Sequence, residues 1–264
     1  MKGALIALAL TGVTLSGVAA VATSAPQFRE RGQRFDQGPP LDVQGNTPYD
    51  GRFVFIRLKY DTDGFGGFRM RQGPPWSHDY PRGEMHFMKI MEEITLLKPR
   101  TDGSNILALD DPELFNYPVA YMAEPGFWTV TDKQAENFRA YLQKGGFVIF
   151  DDFRGYDWEN LQTQMRRVLP EWHWMQLDGT HPIFHSFFEI DDPLSLAPPY
   201  GGLPPSYWGI YEDNDPKKRL VAIANVNNDI SEYWEWSDTG YAPVDLSNEA
   251  YKFGVNYLVY AMTH

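Results

Sequence analysis

The chain contains no cysteine. That excludes disulfides, thiolate metal sites and thiol nucleophiles, so a fold of this sequence outside the cytoplasm rests on core burial alone. Basic residues are also scarce: 23 Lys and Arg stand against 35 Asp and Glu, a net charge of −12. A surface of that sign repels phosphate backbones and anionic lipid heads, which sets nucleic acid aside as a partner. Neither a G-x-S-x-G elbow nor a phosphate loop, dinucleotide fingerprint or H-E-x-x-H pair occurs. The spacing therefore calls for no cofactor and no metal, and nucleophilic catalysis finds little support.

What is present begins with an apolar N-terminus. Lys2 precedes an uncharged run from Gly3 to Ala25, and Ala20 and Ala22 form an A-x-A pattern. This predicts a signal peptide over residues 1–22, cleaved after Ala22, and an exported product in the periplasm or cell envelope. An uncleaved segment would instead act as an anchor, the only membrane attachment expected. Residues 23–50 carry Pro26, Pro39, Pro40 and Pro48 among Gln, Gly and Arg, without an apolar period, and read as a flexible linker.

From residue 51 to 264 the pattern is that of one α/β domain, a length that can bury a full core. FVFIRLKY from Phe53, NILALDD, Pro118–Met122 and Phe147–Phe150 read as strands, apolar on both faces as in a covered sheet. Between them, Phe87, Ile90, Met91, Ile94 and Leu97 recur at helical spacing. Thr131 to Gln134 is a capping box, and Gly145-Gly146 stops the helix that it opens. Trp158, Leu161, Met165 and Val168 mark a further helix that ends before Pro170. Alternation of this kind predicts a mainly parallel sheet with helices on both faces. SYWGIYE and RLVAIANV then read as a C-terminal β-hairpin or edge strands, and Ser247 as the cap of a final helix.

In such sheets ligands bind at the C-terminal ends of the strands. Three predicted strands end in or near acids there: Asp110-Asp111, Glu124 and Asp151-Asp152. Crowded carboxylates either share a proton or attract a cation. Helix capping by Asp111 is the plainer alternative, and adjacent Asp151 and Asp152 point to opposite sides of an extended strand. Arg154 is the nearest cation able to balance these acids or to grip a ligand carboxylate. The loop carrying Trp76, His78, Asp79 and Tyr80 is placed to close over that rim. His78 with Asp79 is the best general-base pair on offer, while His181, before a proline, reads as a loop hydrogen-bonder. The candidate ligand-binding residues are thus Trp76, Asp79, Tyr80, Asp110, Asp111, Asp151, Asp152 and Arg154.

The segments FVFIRLKY, WSHDYP, LDDPELFNYPVAYM, GGFVIFDDF, HPIFHSFF and EAYKFGVNYLVYAMTH together resemble the exported bacterial family known as domain of unknown function 4159. The resemblance runs from about Phe53 to His264. It implies a class I glutamine-amidotransferase-like, flavodoxin-like fold in cell-envelope systems, and a cell-envelope protein as the class of macromolecular partner. It implies no reaction, and without a cysteine glutaminase chemistry does not carry over. Two functions follow: a non-catalytic domain binding a partner or small polar ligand at the sheet's C-terminal edge, or a hydrolase of glycan or peptide using a carboxylate pair such as Asp79 with Asp151.

Overall fold

The computed structural model describes residues 45–62 and 73–264. The expected signal peptide and most of the expected linker lie outside the described residues. The strands are β1 (Ile56–Lys59), β2 (Asn105–Ala108), β3 (Val119–Ala123), β4 (Phe147–Phe153), β5 (Trp174–Leu177), β6 (Ser206–Tyr211) and β7 (Leu220–Val226). The helices are α1 (Arg82–Ile94), α2 (Asp132–Gln143), α3 (Asp157–Val168), α4 (Ile230–Glu235) and α5 (Val244–Thr263). All seven strands join one sheet in the order β2-β1-β3-β4-β7-β6-β5. Pairing is parallel from β2 to β7 and antiparallel at β7–β6 and β6–β5. This is an α/β fold with a mostly parallel sheet flanked by helices, consistent with a flavodoxin-like arrangement.

Side-chain alternation along the strands sorts the core into two layers. Ile56, Leu58, Met122, Val148 and Phe150 face Phe138 and Leu142 of α2 and Leu161 and Met165 of α3. On the opposite face Phe55 meets Phe87 of α1, which stacks on Trp234 of α4, and Tyr207 stacks on Phe253 of α5. β4 is interior, between β3 and β7, as its run of four apolar residues requires. The capping box at α2 forms in both directions between Thr131 and Gln134, and Gly145 leaves the helix with φ of +116°.

Two expectations at the C-terminal part need correction. The β6–β7 pair is a hairpin, but it is no edge appendage: β7 lies parallel against β4 and carries the sheet onward. The edge beyond β6 is β5, which is short and only half-buried and has no sharp apolar run to announce it. Ser247 does not cap α5: the helix already begins at Val244 after Pro243, and the buried Ser247 hydroxyl has no hydrogen-bond partner. No described helix is long and apolar enough to cross a membrane.

Candidate functional site

The site forms where three segments leave the C-terminal ends of β1, β4 and β7. On β4 the ladder to β7 shifts register between Phe150 and Phe153, and Asp152 takes φ of +57°. A non-glycine residue in that region is strained, and such residues cluster at ligand sites. The irregularity breaks the strand's alternation at the two acids. Asp151 points into the α1/α4/α5 layer and is consumed there. It accepts from Ile230 N (3.0 Å), Ser231 N (3.0 Å) and Asn225 Nδ2 (2.9 Å), with the Tyr121 hydroxyl at 2.9 Å. Burial pushes its carboxyl up to about 6, against those hydrogen bonds. Asp151 therefore anchors the first turn of α4 to the sheet.

The second segment is the loop before α1. Its turn Pro75–Ser77 is held by Arg57 of β1, which is 1% exposed. The guanidinium makes a bidentate pair with Glu84 of α1 (2.9 and 2.8 Å) and donates to Trp76 O (3.0 Å) and His78 O (2.8 Å). Burial opposes the charge on Arg57, but Glu84 more than offsets it and raises the pKa. Thus a buried ion pair fixes the backbone on which His78 and Asp79 stand. Asp79 also has a left-handed backbone, φ +62°.

The third segment follows β7. Asp229 caps α4 by accepting from Glu232 N at 3.0 Å, and Ser231 Oγ donates to Asp79 Oδ2 at 2.5 Å. These contacts draw His78, Asp79, Asp152 and Asp229 together, with one ligand-capable atom from each lying within 4.8 Å of the others. Asp79, Glu232 and Glu235 form a second such group that shares Asp79. His78 Nδ1 is 2.6 Å from Asp152 Oδ2 and 3.6 Å from Asp79 Oδ1.

Charge crowding is visible in the proton affinities. Asp79, and Asp152 through its charge and hydrogen bond, raise His78 well above the usual histidine range despite burial. Burial would raise Asp152, yet His78 and Arg154 hold it below its ordinary value. Asp229 is driven well above the carboxylate range by burial and then by repulsion from Asp152 and Asp79. Burial and the charge of Asp79 push Glu232 up to about 7 and Glu235 up to about 8. Two buried oxygens, Asp79 Oδ1 and Asp229 Oδ2, have no hydrogen-bond partner.

Beside this cluster opens a cavity of about 270 Å³, lined by Asp152, Asp229, Arg154, Tyr200 and Leu203 among others. The Arg154 guanidinium lies 5.1 Å from the Tyr200 ring centroid and is in no ion pair among the described residues. A larger, more open groove of about 650 Å³ includes His181, Lys218 and Arg219. Its polar groups are engaged: Lys218 pairs with Asp213 at 2.6 Å, Arg219 donates to Gly146 O at 2.8 Å, and His181 Nδ1 accepts from Ile183 N at 3.1 Å. The chemistry therefore gathers at the smaller cavity.

Of the residues singled out from sequence, His78, Asp79 and Asp152 meet in the cluster, and Arg154 lines the cavity beside it. Asp151 adjoins the cluster as an anchor. Trp76 packs against the hydrophobic core and Tyr80 is buried, with the Arg57 guanidinium 6.0 Å from its ring centroid, so their place in the site is to support the loop. Asp110 and Asp111 do not join: Asp110 pairs with Lys133 at 2.9 Å, and Asp111 caps the turn Pro112–Asn116 through Glu113 N. The missing members are Asp229, Glu232, Glu235, Arg57 and Glu84. Asp229 and Glu232 stand three residues apart, a capping-box spacing that marks a helix start and would have located α4.

No curated protein matches the chain. The family model described as domain of unknown function (DUF4159) matches residues 54–262, which contain every member of the cluster and the cavity. The chain belongs to that family.

Proposed function

We propose that this is a non-catalytic, exported binding domain that takes a small polar ligand bearing an anionic group at the C-terminal edge of its sheet. The observation that carries the reading is Arg154. Its guanidinium rests on Tyr200 at the wall of the cavity that Asp152 and Asp229 also line, without an ion-pair partner among the described residues. A guanidinium held flat on an aromatic ring is presented for bidentate pairing with a carboxylate or phosphate. The cavity of about 270 Å³ suits a ligand smaller than a typical drug and is a concave pocket, which favours a small molecule over a protein partner. The uncharged run from Gly3 to Ala25, with its A-x-A pattern at Ala20 and Ala22, supports export. Intact-mass measurement of the exported fraction is expected to give a chain starting at Thr23, whereas a membrane-bound species retaining Met1 would contradict it.

The second reading is a carboxylate-dependent hydrolase, favoured by the 2.6 Å contact of His78 with Asp152. It has less support, because Asp151 is saturated by structural hydrogen bonds and His78 is held in its protonated form by its acidic neighbours.

The test is an amide-resolved NMR titration of chelator-treated protein with inorganic phosphate and malonate. Shifts confined to Arg154–Gly155 and the Tyr200–Leu203 loop, and lost in Arg154→Ala, are expected. Shifts elsewhere, or binding unchanged by Arg154→Ala, would remove the cavity from the account.

A further inference from the structure

We infer that the cluster His78, Asp79, Asp152 and Asp229 is a binding site for a first-row divalent cation of the Mn²⁺ or Zn²⁺ type. This rests on the C-terminal edge being the ligand site and adds an ion to its floor.

Acid clusters alone do not make metal sites. Here a second observation points to a cation. Asp79 Oδ1 and Asp229 Oδ2 belong to residues 4% and 3% exposed, yet neither oxygen has a hydrogen-bond partner among the described residues. A buried carboxylate oxygen without a donor is strongly disfavoured unless a cation satisfies it. Both residues belong to the convergent set: Asp79 Oδ1 lies 3.6 Å from His78 Nδ1, and Asp229 Oδ1 accepts from Glu232 N, which leaves Oδ2 as its other oxygen. Among the described residues, Arg57 is committed to Glu84, and His78 is the cation in contact with the group.

The donor set selects the ion. One imidazole nitrogen with three carboxylates is poor in oxygen count for calcium and suits an ion that accepts mixed nitrogen and oxygen ligands. For His78 and Asp229 to ligate the ion, the protons that they hold would leave to solvent. Asp152 and Asp229 also line the cavity, so an ion there has a route in and keeps an open side toward the ligand. A ligand's anionic group would then lie between the ion and Arg154.

The test is isothermal titration of chelator-treated protein with Mn²⁺, Zn²⁺ and Ca²⁺, on wild type, Asp229→Asn, His78→Gln and the remote Asp132→Asn. Asparagine at 229 keeps an acceptor for Glu232 N and removes the charge. We expect one Mn²⁺ or Zn²⁺ per chain, bound at least ten-fold more weakly by Asp229→Asn and His78→Gln and unchanged in Asp132→Asn. If Asp229→Asn does not fold, His78→Gln decides, because that side chain is 37% exposed and its loss spares the core. Absence of stoichiometric Mn²⁺ or Zn²⁺ binding, tighter binding of Ca²⁺ than of either, or wild-type affinity in the deciding variant would overturn the site. Phosphate binding at Arg154 in the chelated protein is read separately, so losing the ion alone leaves the cavity proposal standing.

Discussion

Replacing Glu84 with Gln tests whether the buried ion pair holds the site's loop in place. Arg57 and Glu84 are each about 1% exposed, and Glu84 also accepts from Ser104 Oγ at 3.1 Å. The substitution keeps the shape and one acceptor but leaves a guanidinium charge uncompensated inside the protein. Breaking a buried pair from one side costs about 3–5 kcal/mol, because the surviving charge stays desolvated. For a domain of this size that is a fall in melting temperature of roughly 10 °C. Urea and thermal unfolding of the two proteins give the value. The loop should feel it too, because the same guanidinium holds Trp76 O and His78 O, so ligand and ion binding at His78 and Asp79 should weaken in proportion. The double variant Arg57→Met, Glu84→Met removes both charges, and its loss should be smaller than the sum of the single losses by more than about 1 kcal/mol. If Glu84→Gln costs less than about 1 kcal/mol, or if the double variant shows the full sum, the pair is not the clamp described here.

Asp151→Asn should lower stability by about 2 kcal/mol by weakening the hold on Ile230 N and Ser231 N, while Asp152→Asn should stay within about 1 kcal/mol of wild type and bind the divalent ion more weakly. Denaturation and binding measured on both variants separate anchor from site. His181 is depressed to about 4 by burial, from 6.5, and its Nδ1 must stay unprotonated to accept from Ile183 N. The unfolded chain therefore binds this proton more readily, so stability falls as pH drops from 6.5 to about 4, by at most about 3 kcal/mol. His181→Asn keeps the acceptor and should flatten that part of the stability–pH curve; an unchanged slope would assign the loss to other groups. Gly254→Ala would bring a Cβ to 2.6 Å from Trp234 and 2.8 Å from Phe87, so calorimetry should show a loss of about 1–3 kcal/mol.

The parallel half of the fold was legible because its signals are local. Four apolar residues in β4 and the Thr131–Gln134 box each declare an element within a short window. The carboxylates at the end of β4 pointed to the rim where the cluster forms for the same reason. What stayed hidden depends on contacts across the chain. Asp229 meets Asp79 and Asp152 only after β7 crosses to lie beside β4, and α4, six residues long, offers too short a window for apolar periodicity. Arg57 read as one more polar residue in a strand, since nothing in FVFIRLKY announces that its partner Glu84 lies 27 residues on. The division between Asp151 and Asp152 was likewise invisible: strand alternation predicted opposite directions, but only the register shift and the left-handed backbone at Asp152 decide which acid reaches the cluster.

Anomalous diffraction from chelator-treated crystals soaked in Mn²⁺ tests the central claim most directly. The account predicts one strong peak at the C-terminal edge of the sheet, about 2–2.5 Å from carboxylate oxygens of Asp79, Asp152 and Asp229 and open toward Arg154. Mn²⁺ peaks confined to exposed carboxylates elsewhere, with His78 still paired to Asp152 at the unchanged distance, would contradict it.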